Sequence, residues 1–158
     1  MSRATALAND LDDAAEIEAA LTTLVRRASL PAAHAAVLRV AGSALDRAAY
    51  VVLARIEEWG PLRLSALARR LAIDVSTLSR HVARLEAQGY TKRSVDPSDQ
   101  RACLLTVTCA GSDAVSRVRR ARTERIAELL AHWPGDDRRD LARLLARLAE
   151  ALSPGDPA

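Results

Sequence analysis

Apolar residues recur at every third or fourth position along most of this chain, the spacing that places them on one face of a helix. The first such stretch predicts a helix from Asp10 to Arg27, with Asp10 as its N-cap. A second predicted helix covers Ala32 to Val40. A third pattern runs from Leu45 and stops before Gly60-Pro61, because glycine often ends a helix and proline restricts the residue before it. The N-terminal third is therefore predicted to be helical.

The helical pattern returns in the last third of the chain. Its apolar positions run from Val115 to Leu130, break at Trp133-Pro134-Gly135, and resume from Leu141 to Leu152. The remaining tail, Ser153 to Ala158, holds two prolines and a glycine and is expected to be frayed.

The elements in the middle third are shorter. Ser65 to Leu71 and Ser76 to Gln88 are predicted helices, and the brief connection Ala72 to Val75 between them makes a helix-turn-helix candidate. Two strands then follow, Tyr90 to Val95 and Ala102 to Thr108, with Asp96 to Gln100 as the hairpin loop. The predicted fold class is mostly α with a small β-hairpin.

Composition agrees with one compact unit. The chain has 158 residues, of which 49% are hydrophobic and 27% charged, values typical of a globular protein rather than a disordered one. No apolar run is long enough for a signal peptide or a membrane span, so a cytoplasmic location is expected. Charge is uneven, with eight basic and four acidic side chains between positions 61 and 110, a balance that would attract a polyanion.

The predicted helix Ser76 to Gln88 has two different faces. Leu78, Val82 and Leu85, led by Val75, form an inward stripe. The opposite stripe carries Thr77, Arg80, His81 and Arg84. Such a helix fits the major groove of DNA, where arginine reaches guanine edges or phosphates and hydroxyls near the helix start reach phosphate oxygens. A plain solvated face is the competing interpretation of the same residues.

The hairpin adds a second basic element. Lys92 and Arg93 lie on its first predicted strand and Arg101 at the base of its second, so one basic surface can span helix and hairpin. An arginine on a narrow hairpin suits the minor groove, where A·T tracts strengthen the negative potential. Asp99 is expected either to hold the Arg101 guanidinium or simply to favour the turn.

The order and spacing of these landmarks resemble a known family. Residues 62–111 read LRLSALARRLAIDVSTLSRHVARLEAQGYTKRSVDPSDQRACLLTVTCAG and contain S-T-x-S-R-x-V-x-x-L-E-x-x-G, then R-x-x-x-x-x-D-x-R, then T-x-x-G. This stretch resembles the winged helix-turn-helix of the MarR (multiple antibiotic resistance regulator) family. Two departures stand out, since Tyr90-Thr91 replaces the usual Leu-Val or Leu-Ile and Cys109 replaces a common charged residue.

The resemblance implies a transcriptional regulator, most often a repressor, that binds a pseudo-palindromic operator as a homodimer and responds to a small aromatic or phenolic effector. It also implies an N-terminal dimerisation region at 1–44, a DNA-binding domain at 45–111 and a C-terminal dimerisation region at 112–158. Helix face, hairpin and resemblance together give the expected DNA-contacting set: Ser76, Thr77, Ser79, Arg80, His81, Arg84, Lys92, Arg93, Asp99 and Arg101.

Other functions find less support. No nucleophile elbow, phosphate loop or zinc-protease motif occurs, so neither an enzyme nor a cofactor is expected. His34, His81 and His132 share no ligand spacing, so no metal site is predicted. Cys103 and Cys109 are expected to be buried or half-buried thiols. Two alternatives stay open: regulation through cysteine oxidation, and a winged helix that binds protein instead of DNA.

Overall fold

A computed structural model of the chain describes residues 3–42 and 45–152. The helices in this part are α1 (Arg3–Ala28), α2 (Pro31–Val40), α3 (Arg47–Trp59), α4 (Leu64–Leu71), α5 (Val75–Ala87), α6 (Cys109–Leu129) and α7 (Gly135–Leu152). The strands are β1 (Leu62–Arg63), β2 (Thr91–Asp96) and β3 (Asp99–Val107). The predicted fold class is confirmed. The expectation of one compact unit is wrong, because the chain divides into two, residues 1–121 and 122–158, with the boundary inside α6.

The core of the first unit is almost entirely aliphatic, with Tyr50 as its one buried aromatic residue among the described positions. Apart from Leu38 and Ala41, it lies in residues 45–121, which we call the central lobe. Helix α3 packs against α5 and β3, and α4 packs against α5 and β1. Leu78, Val82 and Leu85 of α5 are fully buried, which confirms the predicted inward stripe. Val75 was predicted at the leading end of that stripe, but it is 50% exposed because it is the first residue of α5, beside the turn.

Helix ends follow local chemistry in the central lobe. Asp46 caps α3, since its Oδ1 accepts a hydrogen bond of 2.8 Å from the amide of Ala49. The turn between α4 and α5 passes through Ala72 in the left-handed region, at φ 52°. The predicted cap at Asp10 is wrong, because α1 begins at Arg3 and Asp10 lies inside the helix.

The β-sheet has three strands, one more than predicted. It is antiparallel in the order β1-β3-β2, and the two residues of β1 pair with Leu104 and Leu105. So short a strand has no detectable period in the sequence. The predicted hairpin loop from Asp96 to Gln100 is also too long, since only Pro97 and Ser98 lie outside the strands. We call β2 and β3 with their turn the wing.

The junction between the wing and α6 explains the T-x-x-G landmark. Thr108 Oγ1 donates a hydrogen bond of 2.6 Å to the carbonyl oxygen of Gly89 and accepts one of 3.1 Å from the amide of Gly111. A Cβ on Gly111 would lie only 2.2 Å from the carbonyl oxygen of Tyr90. Glycine is therefore required for α6 to begin this close to the start of the wing.

Compared with the helices of the central lobe, the terminal helices α1 and α7 leave more of their described large apolar side chains exposed. Helix α7 has no buried residue, and its Leu144, Leu145 and Leu152 are 51%, 44% and 71% exposed. In α1, Leu11, Leu24 and Val25 are also more than half exposed. None of the helices within residues 3–42 and 45–152 combines the length and the apolar character that crossing a membrane requires. The predicted frayed tail, Ser153 to Ala158, lies outside the described residues.

Candidate nucleic-acid interface

The outward face of α5 forms a shallow cleft. Its walls are Thr77, Arg80, His81 and Arg84, and its volume is about 330 Å³. The sequence assigned these four residues to one face, and the structure brings them together there. Ser76 is exposed beside them, and Ser79 is half-buried.

His81 lines this cleft and is partly buried. Its Nδ1 is buried and has no hydrogen-bond partner among the described residues.

Arg84 is held by an acid outside α5. Its Nη1 lies 3.0 Å from Oδ2 of Asp46, the residue that also caps α3. The pKa of Asp46 is lowered chiefly by the hydrogen bond from the Ala49 amide, with burial opposing this and Arg84 adding to it. Both side chains of the pair are about half exposed, and exposed pairs contribute little to stability. Arg84 can therefore leave Asp46 for another anion at little cost in stability.

The two basic residues of β2 point in opposite directions. Arg93 is paired with Leu105 across the ladder, and Lys92 with Thr106, so strand alternation puts them on opposite faces. Arg93 is on the face turned to α5, where its Nε donates a 2.8 Å hydrogen bond to Glu86 Oε1. Arg93 thus ties the wing to α5, while Lys92 is exposed on the other face.

The tip of the wing contains an acidic pair and an arginine from β1. Arg63 donates from Nε to Asp96 Oδ2 at 2.8 Å, and its Nη2 lies 2.6 Å from the same oxygen and 3.4 Å from Asp99 Oδ2. Hydrogen bonds from the Ser98 hydroxyl and amide, followed by the one from Arg63, lower the pKa of Asp96 to about 2. The same bond with Asp96 raises the pKa of Arg63. Asp96 is therefore charged at neutral pH.

Arg101 is exposed near the tip rather than at the base of its strand. The pairing register shifts between Val95 and Asp96, which face Cys103 and Asp99, so Gln100 to Ala102 form a bulge that contains Arg101. Asp99 was expected either to hold the Arg101 guanidinium or to favour the turn, and the first expectation is wrong. Its Oδ1 accepts from the Arg101 amide at 3.1 Å, and its Oδ2 faces Arg63. Asp99 fixes the backbone of Arg101 and leaves the side chain unpaired within the described part of the chain.

Four residues that shape this surface were not assigned a role from the sequence: Asp46, Arg63, Glu86 and Asp96. Each is joined to its partner across many positions, as Arg63 is to Asp96, and no local pattern signals such pairs. The D-P-S-D turn was the one available hint of an acidic tip.

The two cysteines differ from expectation. Cys103 and Cys109 are both exposed, so the prediction of buried or half-buried thiols is wrong. Cys103 lies on β3 opposite Val95, beyond the part of the strand that reaches the core, and Cys109 is the first residue of α6.

Comparison with known proteins gives one consistent result. The profile of the MarR family matches residues 45–103. YxaD of Bacillus subtilis, described as an uncharacterized HTH-type transcriptional regulator, is 35% identical over 136 residues, which span 86% of this chain and 92% of YxaD. A MarR family protein from Bacillus stearothermophilus superposes with a TM-score of 0.77 at 19% identity, over 90% of this chain and 97% of its own, and so supports the fold. RV1404 of Mycobacterium tuberculosis is 27% identical, with a TM-score of 0.73 over 92% and 97% of the two chains.

Proposed function

This chain belongs to the MarR family of transcriptional regulators, and from that premise we propose that it is a ligand-responsive repressor that binds a pseudo-palindromic DNA operator as a homodimer in the cytoplasm. The observation that carries the proposal is the outward face of α5, where Thr77, Arg80 and Arg84 line one open cleft. A helix presenting such a face fits the major groove, and its N-terminal residues are the ones that usually reach base edges.

The basic residues of the expected DNA-contacting set differ in whether their side chains form ion pairs in the free protein. Arg80, Lys92 and Arg101 are exposed and form no ion pair within the described residues, so they are the first candidates for DNA contact. Arg84 would move from Asp46 to a phosphate of DNA, where neighbouring phosphates add to the attraction. Arg93 is better assigned to joining the wing to α5.

Dimerisation is supported by the terminal helices. Among the side chains described in these helices, five leucines are more than two-fifths exposed: Leu11 and Leu24 in α1, and Leu144, Leu145 and Leu152 in α7. A second copy would bury such apolar positions by symmetry. The α5 helices of the two copies, related by a two-fold axis, would then contact half-sites one turn of DNA apart. An effector that altered their separation would weaken binding, although no residue is assigned to that ligand.

Selection of bound duplexes from a random DNA pool tests the proposal. We expect a palindromic consensus, and we expect its affinity to fall about 10³- to 10⁵-fold between 50 and 200 mM salt if six to ten phosphates are contacted. Arg80→Ala should weaken binding by about 1–3 kcal/mol. Arg120→Ala, which removes an exposed charge on α6, is the matched control and should change affinity little.

The two alternatives give different results in the same assays. A winged helix that binds protein would select no consensus and show little salt dependence. Regulation through cysteine oxidation is favoured by the exposure of Cys103 and Cys109. It predicts that peroxide releases the wild-type protein from the selected duplex and leaves the Cys103→Ser/Cys109→Ser protein bound.

A further inference from the structure

Arg63 occupies a central position beneath the tip of the wing. It is one of the two residues of β1 and pairs with Leu104, so its side chain lies on the same face of the sheet as Leu104 and Ser94. From there its guanidinium reaches one carboxylate on β2 and another at the start of β3, at Asp96 and Asp99. No other described residue forms an ion pair with both strands of the wing.

The two carboxylates connect Arg63 to the backbone of the tip. In Asp96, Oδ2 faces Arg63, while Oδ1 accepts hydrogen bonds from the amide and hydroxyl of Ser98 at 2.9 and 2.7 Å. In Asp99, Oδ2 faces Arg63, while Oδ1 accepts from the amide of Arg101. Each carboxylate therefore bridges one cation and one stretch of tip backbone, and the backbone held by Asp99 carries Arg101.

The tip requires such a restraint for two reasons. A two-stranded ribbon has little stability of its own, and this one contains a bulge of three residues, Gln100 to Ala102, immediately beyond its turn. In addition, the side chain of Asp96 is only 9% exposed, and a carboxylate so poorly hydrated needs a cation. Arg63 is the cation that the described residues provide.

We propose that Arg63 is a positioning residue for DNA recognition, which fixes the bulge of the wing through Asp96 and Asp99 and so sets the direction in which the Arg101 side chain leaves it. The proposal rests on the proposed function, because it assigns Arg101 to DNA. Arg63 itself is occupied by two acids and acts through Arg101, not by touching DNA.

The proposal predicts an effect of charge on DNA affinity that is opposite to the usual one. Removing an acid near a DNA-binding surface normally strengthens binding, since the protein becomes more positive. Asp96→Asn and Asp99→Asn are nevertheless expected to weaken binding. Asp99→Asn weakens the link between Arg63 and the backbone of Arg101, and Asp96→Asn weakens the link between Arg63 and the neighbouring turn at Ser98. A purely electrostatic role for these acids predicts the opposite direction.

A double-mutant cycle on the duplex obtained by selection tests the assignment. Arg63→Ala and Arg101→Ala should each weaken binding by about five- to fiftyfold. The protein carrying both changes should bind within about twofold of Arg101→Ala alone, because Arg63 acts only through Arg101. Arg120→Ala is again the matched loss of one positive charge and should leave affinity close to that of the wild type.

A second readout is independent of DNA. NMR should show faster exchange of the Arg101 amide in Arg63→Ala than in Arg120→Ala, with the amides of the central lobe core unchanged. A general loss of folding would accelerate all of these amides together and would overturn the positioning role.

The outcomes separate the two proposals. If the wild type selects no duplex, the proposed function fails, and the role of Arg63 in recognition fails with it. If the wild type binds and Arg80→Ala weakens it as expected, but Arg63→Ala binds like the wild type, then the role of Arg63 alone is overturned. Losses for Arg63→Ala and Arg101→Ala that multiply in the double variant would also overturn it, because they would show that Arg63 acts independently.

Discussion

The central lobe and helix α7 use leucine in the same periodic way but with different results. In the lobe, Leu53, Leu78 and Leu85 have no exposed surface. In α7, Leu144 and Leu145 follow the same spacing and are about half exposed. The sequence pattern alone thus shows that one face of a helix is apolar, and the structure shows whether other residues of the chain cover that face. The lobe buries its own leucines, whereas these leucines of α7 stay about half exposed and form a face that the proposed dimer would cover.

The prediction with the largest expected effect compares a leucine of the central lobe with a leucine of α7. Leu78→Ala should lower the free energy of unfolding by about 2–5 kcal/mol, because it leaves a cavity in a fully buried site. Leu145→Ala is the matched change in α7 and should cost less than about 1 kcal/mol in dilute solution, with a loss that grows with protein concentration. Urea unfolding at several protein concentrations measures both. Equal losses independent of concentration would contradict the contrast and the proposed dimer.

Glycine provides a second test of packing in the two regions. Gly111→Ala should destabilise the protein by about 1–3 kcal/mol, because the new Cβ would lie 2.2 Å from the Tyr90 carbonyl oxygen. Gly135→Ala in α7 is the control, since its Cβ would meet nothing nearer than 3.5 Å, at the flexible end of Arg139. Thermal unfolding should therefore show a lower Tm for Gly111→Ala only. A similar Tm for both variants would show that the junction before α6 is loose.

A smaller effect concerns a buried hydroxyl in the lobe. Thr91 is 3% exposed, and its Oγ1 has no hydrogen-bond partner among the described residues. Thr91→Val replaces that hydroxyl with a methyl group of the same shape and should stabilise the protein by about 1 kcal/mol. Thr22→Val in α1, where the hydroxyl donates to Glu18 at an exposed site, should not stabilise it. A destabilised Thr91→Val protein would indicate that the hydroxyl has a partner, such as ordered water.

The last contrast is between a sheltered carboxylate and an exposed one. The pKa of Asp96 is about 2 in the fold, lowered by Ser98 and then Arg63, against roughly 3.9 for an unfolded aspartate. Its contribution to stability is therefore complete above about pH 4 and is lost as the pH falls toward 2. The urea midpoint of Asp96→Asn should fall less over this range than that of the wild type. Asp140→Asn, an exposed partner of Arg143, should follow the wild type. Parallel curves for Asp96→Asn and the wild type would contradict the lowered pKa.

Most of the helices and both elements of the interface, α5 and the wing, were predictable from the sequence, although the turn of the wing is shorter than expected. The stripe of Leu78, Val82 and Leu85 and the opposite face with Arg80 follow from a period of 3.6, which the sequence displays directly. Strand β1 was not predictable, because two residues carry no period and its place is set by pairing with β3. The extra length of β3 was missed because Asp and Pro at the tip favour a turn in any context.

What the sequence by itself determined is the set of charged and apolar positions, the family and the order of elements, since these depend on spacing along the chain. What only the tertiary structure decided is which acidic residue each arginine pairs with, because the sequence does not distinguish one arginine from another in this respect. Arg93 is bound to Glu86, Arg84 to Asp46, and Arg63 to the acids at the wing tip. These partners lie 7, 38 and 33 positions apart, and such pairs form only after folding brings distant segments within the few ångströms over which an ion pair acts.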